Sequence, residues 1–227
     1  MSKLKLGMSG GEVRESGRNA ASRAESILGF LLAPESGSEA ATVWFRWFVV
    51  NPEFDRLCKA RFLATYQDAT HGRLEDWRNE PRSCLALVLL LDQFPRNMFR
   101  NTARAFATDS KARELSRHAI ASGFDRELSP MMRMFFYLPL EHSENLADQS
   151  ESVQLARALA AEHPDHALTL KSAEQHLEII RRFGRFPGRN NALGRQATHE
   201  EMDFLEHQNR NQRTPARTER KTTRQEG

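Results

Sequence analysis

Residues 81–95 read PRSCLALVLLLDQFP, and the seven residues between Leu85 and Leu91 are apolar without interruption. Proline fits the first turn of a helix, where its missing N–H would have no partner anyway. Pro81 therefore opens a helix, and Pro95 is expected to close it. Such a helix is apolar on every side rather than along one stripe, which marks it as the buried centre of a domain. Seven apolar residues fall far short of the roughly 20 that span a bilayer. The only early apolar run, Ile27 to Ala33, starts late and lacks a small-residue cleavage site. No membrane partner and a cytoplasmic location are the resulting expectations.

Helical spacing continues on both sides of this segment. Asn51-Pro52 is a cap followed by a first-turn proline, for a helix that runs to about Thr70 and stops before Gly72. Thr108 caps a helix with Ala112, Leu115 and Ala119 on one face and Gly123 as its stop. Ser129-Pro130 begins MMRMFFYL, which Pro139 is expected to end. Val153, Ala156 and Ala160 mark a helix from about Ser143 to Glu162, and Leu170, Ala173, Leu177 and Ile180 mark another before Gly184. Thr198 with Glu201 three residues on is a capping box for a last helix through about Glu206. No run alternates with period two. The fold class is all-α, with antiparallel helix pairs arranged as a bundle or a short α-solenoid. FPRN (94–97) and FPGRN (186–190) echo one another after two long helices, which a shared helix-exit device explains as well as a duplication does. Cys58 shares an apolar stripe with Phe54 and Phe62, so it and Cys84 read as core thiols.

The chain has 227 residues, 39% of them hydrophobic and 28% charged, which excludes a collagen-like or wholly disordered protein. Its basic excess sits at the ends. Lys and Arg outnumber Asp and Glu by 5 to 2 in residues 1–24 and by 6 to 2 in residues 208–227, whereas residues 25–207 carry 22 basic and 26 acidic groups. Residues 1–20 read as a flexible leader, 21–207 as a single helical domain and 208–227 as a disordered basic tail. Nucleic acid is expected only as a weak, non-specific partner of these ends.

Polar residues crowd where the apolar helices end. The first cluster is LDQFPRN, with Asp92, Gln93, Arg96 and Asn97; a buried Asp92 needs a partner, and Arg96 is the nearest one. The second is PLEHSENLADQ, with Glu141, His142, Glu144, Asp148 and Gln149. His142 is the leading general acid or base, backed by Glu141 or Glu144, although acidic residues at a helix start also suit the helix dipole. The third is HLEIIRRFGRFPGRNNALGR, with His176, Arg185, Arg189, Asn190 and Arg195; several arginine forks aimed into one cleft make an anion site. The alternative is that these arginines neutralise Asp92, Glu141, Glu144 and Asp148 in a structural network. Metal-ligand spacing is poor, and no phosphate-binding or dinucleotide fingerprint occurs, so neither metal nor cofactor is expected.

These clusters, together with WFVVNPEFD (47–55), GRLEDW (72–77) and ARAFATD (103–109), closely resemble the bacterial domain of unknown function family 924 over roughly residues 24–206. The resemblance implies a tetratricopeptide-like helical fold and no established reaction. Where that family reads FPHRN, this chain has Gly188, and the family's Phe-Trp-Phe is replaced by Phe30-Leu31-Leu32.

Two functions follow from the residues. The favoured one is a binding module whose polar cleft holds a small anionic ligand or peptide through Arg96, Arg185 and Arg189, with Asp92, Gln93, Asn97, Gln149, His176 and Asn190 lining it. The alternative is a hydrolase-like acid–base enzyme in which His142, with Glu141 or Glu144, moves a proton while the arginines clamp a carboxylate or phosphate. Either way, the three clusters are expected to converge.

Overall fold

The helix that Pro81 opens runs straight through Pro95 to Met98. A proline inside a helix leaves the carbonyl four residues earlier without its N–H partner. That carbonyl belongs to Leu91, and the Thr108 hydroxyl donates to it at 2.6 Å. Thr108 therefore does not cap its own helix with its side chain, as its position suggested, but repairs the break at Pro95. Pro139 likewise lies inside a helix, Pro130–Glu141. FPRN is thus helical, whereas FPGRN follows a helix end, so the two do not share an exit device.

The computed structural model describes residues 21–30 and 50–213, and all regular structure among them is helical. The leader (1–20), Leu31 and Leu32, residues 47–49 and the tail beyond Arg213 lie outside the described residues. In chain order the helices are α1 (residues 21–30), α2 (Pro52–Thr70), α3 (Pro81–Met98), α4 (Asp109–Ala121), α5 (Pro130–Glu141), α6 (Leu146–Glu162), α7 (Ala167–Phe183) and α8 (His199–Arg213). Short 3-10 turns join several of them, including Ala103–Phe106 and Pro187–Arg189.

Local signals set most helix starts. The Asn51 side chain accepts from the N–H groups of Glu53 and Phe54, and that of Asn145 accepts from those of Ala147 and Asp148, so α6 starts three residues later than Ser143. Gly184 ends α7 with φ at 67°, a conformation that disfavours any side chain. The capping box at α8 forms in both directions, Glu201 N–H to Thr198 Oγ1 and Thr198 N–H to a Glu201 carboxylate oxygen. α8 continues to Arg213, past the expected end near Glu206.

From α2 through to α7 consecutive helices pack on one another, and α3 also packs on α5, so α3 lies between α2, α4 and α5. Leu85 to Leu91 are all buried there, as all-round apolarity requires. Full burial of one such leucine contributes about 2 kcal/mol. Cys58 and Cys84 are buried in this core, and burial pushes the Cys84 thiol up to about 12. The ends of α3 and α5 come together at one edge, which is where their polar residues meet.

Candidate functional site

Asp92 stands near the C-terminal end of α3, only 1% exposed. Both of its carboxylate oxygens lie 2.9 Å from His142 Nδ1, 50 residues away at the cap of α5. Gln93 also donates to Asp92, and Arg96 lies 3.2 Å from it. Arg96 in turn forks onto Asp109 at 3.0 and 3.1 Å. Asp109 also meets Arg189 at 3.3 Å, and Arg189 donates to the His142 carbonyl at 2.8 Å. The circuit is closed: His142, Asp92, Arg96, Asp109, Arg189 and back to His142. Two carboxylates balance two guanidinium groups within it, so each buried charge is compensated.

Glu141, the residue before His142, belongs to a second pair. It ends α5 rather than starting a helix, so the helix dipole disfavours its charge and cannot account for its presence. Its carboxylate accepts from Ser172 at 2.7 Å and lies 3.0 Å from His176 Nδ1 on α7. The expected backing of His142 by Glu141 or Glu144 is replaced by backing from Asp92. Glu144 instead takes a forked bond from Arg195 at 2.7 and 3.0 Å and accepts the Phe186 N–H.

His142 is therefore oriented through Nδ1 by the Asp92 carboxylate, and His176 through Nδ1 by the Ser172 carbonyl at 2.9 Å with the Glu141 carboxylate beside the same nitrogen; their ring centroids lie 6.5 Å apart. Because Nδ1 faces acceptors in each case, it carries the proton, and Nε2 is left for other work. Their environments differ in sign. Burial, aided by Arg96, pushes the His142 imidazole below its usual range, and Asp92 offsets this only in part. Burial also acts against charge on His176, but its hydrogen bond and attraction to Glu141 prevail and raise its pKa. Burial works against the Asp92 carboxylate as well, yet Arg96 and then His142 hold it down at about 2. The side chain of His142 is 12% exposed and that of His176 33%, so the latter is the more open.

The other expected site residues separate into neighbours and outsiders. Arg189 lies between the rings of Phe106 and Phe186, its guanidinium carbon 4.7 and 4.6 Å from their centres. Gln149 is fully buried and donates to the carbonyls of Glu141 and Ser143, tying down the end of α5. Asn97 bonds to Asp55, which Arg100 also grips, away from the histidines. Arg185 and Asn190 both bind Glu201. Sequence reasoning missed the roles of Asp109, Ser172 and Phe106; Asp109 and Phe106 lie in ARAFATD, one of the segments that carry the family resemblance. Among the described residues, no group of three or more His, Cys, Asp or Glu side chains could hold a metal ion, and no helix is long and apolar enough to cross a membrane.

A family model described as a bacterial protein of unknown function, DUF924, matches residues 31–209. The chain belongs to this family. Within DUF924 the match takes in all three polar clusters, including the Asp92–His142 and Glu141–His176 pairs. The chain is also similar to a solved protein of unknown function, ATU0120 from Agrobacterium tumefaciens. The two are 39% identical over 83% of this chain and 99% of that one, with a TM-score of 0.73. No curated protein matches.

Proposed function

We propose that this DUF924 protein is a hydrolase-like acid–base enzyme in which His142 removes a proton and His176 supplies one. The observation that carries this reading is the pair of adjacent histidines, each with its own buried carboxylate within 3.0 Å of Nδ1, with proton affinities moved in opposite directions. Two neighbouring titratable groups pushed apart in this way are what acid–base chemistry near neutral pH needs. Neutral His142, with Nδ1–H on Asp92, has a free lone pair at Nε2 to take a proton from water. The hydroxide so formed attacks an ester carbonyl or phosphoryl centre, and charged His176 gives its Nε2 proton to the leaving oxygen. At a carbonyl the new C–O bond forms first, the C=O electron pair moves onto oxygen, and collapse of this tetrahedral intermediate breaks the bond to the leaving oxygen; at phosphorus the leaving oxygen departs in line with the attack. Proton exchange with solvent then resets both rings.

The arginine clamp expected from the sequence loses support, because Arg96, Arg185 and Arg189 each already hold a carboxylate. Binding of a small anion or peptide without turnover remains the second reading, favoured by the open groove beside His176. The fold is taken as tetratricopeptide-like and the protein as cytoplasmic, with no cofactor invoked.

The test is hydrolysis of p-nitrophenyl carboxylic and phosphoric esters by the wild type, His142→Ala and His176→Ala. A bell-shaped pH dependence of kcat/KM is expected, its acid limb lost with His142 and its alkaline limb with His176. If neither ester class is hydrolysed, while thermal shifts with carboxylates, phosphates or peptides depend on these histidines, the binding reading replaces it.

A further inference from the structure

Beside His176, α7 and α8 leave a groove of about 520 Å³, within the usual size range of small-molecule sites. Its walls are mostly apolar: Ile179 from α7, Phe186 and Pro187 from the following turn, and Phe204 and Leu205 from α8. Among its described lining residues His176 is the only cationic group and Glu178 the only acidic one. Gly188 also lines it, and a Cβ added there would meet no atom within 4 Å. The backbone of Gly188 is outside the left-handed region, so nothing in its conformation demands glycine. The missing side chain leaves space in the groove rather than relieving strain.

We infer that this groove receives the apolar acyl group of an ester or monocarboxylic acid, with its oxygens at His176, and that Gly188 sets how large an acyl group fits. The assignment rests on the acid–base reading for the role of His176 and goes further by naming a substrate class. Apolar walls favour a hydrocarbon chain. The imidazole supplies a hydrogen-bond donor for the acyl oxygen. Glu178 disfavours a dianionic head such as a phosphate monoester, because like charges repel in a confined site. The rings of Phe186 and Phe204 and the branched chains of Ile179 and Leu205 make up most of the lining, with Gln175 and Gln208 as its uncharged polar groups, which suits a hydrocarbon chain better than a sugar or a peptide backbone.

Calorimetric titration of the full-length protein with octanoate and with acetate tests this directly. Octanoate has six more methylenes than acetate, each worth up to about fourfold in affinity when fully buried. The wild type is therefore expected to bind octanoate at least about 100-fold more tightly than acetate. Gly188→Phe should reduce that advantage to less than about tenfold, whereas Gly188→Ala should preserve it. Melting temperatures of both variants establish that they fold. Equal binding of the two acids by the wild type, or an undiminished octanoate advantage in folded Gly188→Phe, would overturn the inference. Binding needs no turnover, so the two readings fail separately. Octanoate binding without ester hydrolysis would remove the proton-transfer reading alone. Hydrolysis indifferent to acyl length would remove the groove assignment alone.

Discussion

Replacing Asp92 with asparagine removes one charge from the buried circuit while keeping its shape. In the native protein the Asp92 carboxyl is held at about 2, whereas an aspartate in an unfolded chain titrates near 3.9. Each tenfold difference in proton affinity corresponds to about 1.4 kcal/mol, so the ionised carboxylate contributes about 3 kcal/mol to stability. Breaking a buried ion pair by removing one partner costs about 3–5 kcal/mol. Here Arg96 keeps its fork on Asp109, which places the cost at the lower end. At roughly 2–4 °C per kcal/mol for a chain of this size, Asp92→Asn should melt about 6–12 °C below the wild type at pH 7. The sign of the pH dependence follows from the lowered pKa. The contribution is fully present above about pH 4 and is lost as pH falls through the folded value near 2. Thermal unfolding of both proteins from pH 7 down to pH 2 measures it, and the gap between them should close over that acid interval. A gap below about 2 °C at pH 7, or one that stays constant into acid, would refute the reasoning that Asp92 is a paired, ionised group.

The remaining expectations concern other parts of the same edge. Proton NMR should show the His142 ring titrating below the ordinary histidine value of about 6.5 and the His176 ring above it. By linkage, His142 lowers stability as pH falls below about 6.5, and the contribution of His176, fully present below that value, is lost as pH rises through its raised pKa. Thr108→Val strands the Leu91 carbonyl and should cost about 1–3 kcal/mol in urea unfolding, with Pro95→Ala recovering part of it by restoring the helical N–H. Arg185→Met deprives Glu201 of its fork at the start of α8, so the melting temperature should fall while carboxylate affinity, read by calorimetry, stays constant. Removal of residues 214–227, which contain no large apolar side chain, should leave the melting curve unchanged.

The sequence by itself determined the helical class and most helix starts, because those signals act over three or four residues. The Asn51 cap, the opening prolines at 81 and 130, Gly184 and the Thr198–Glu201 box each contain both halves of their interaction within one turn of chain. Leu85 to Leu91 likewise announced a central helix, since a segment apolar on all sides has nowhere else to go. It was also legible that Asp92, His142 and the arginines near residue 189 belonged together, because none could be buried without a partner. Only the tertiary structure decided which partner each one has. Asp92 meets His142 across 50 residues and Arg189 meets Asp109 across 80, and a carboxylate carries no local mark of the cation it will find. The same distance explains Pro95. Local rules say that proline ends a helix, and they hold unless some other group satisfies the abandoned carbonyl. That group is the hydroxyl of Thr108, 17 residues from Leu91, brought there by the packing of α4 on α3.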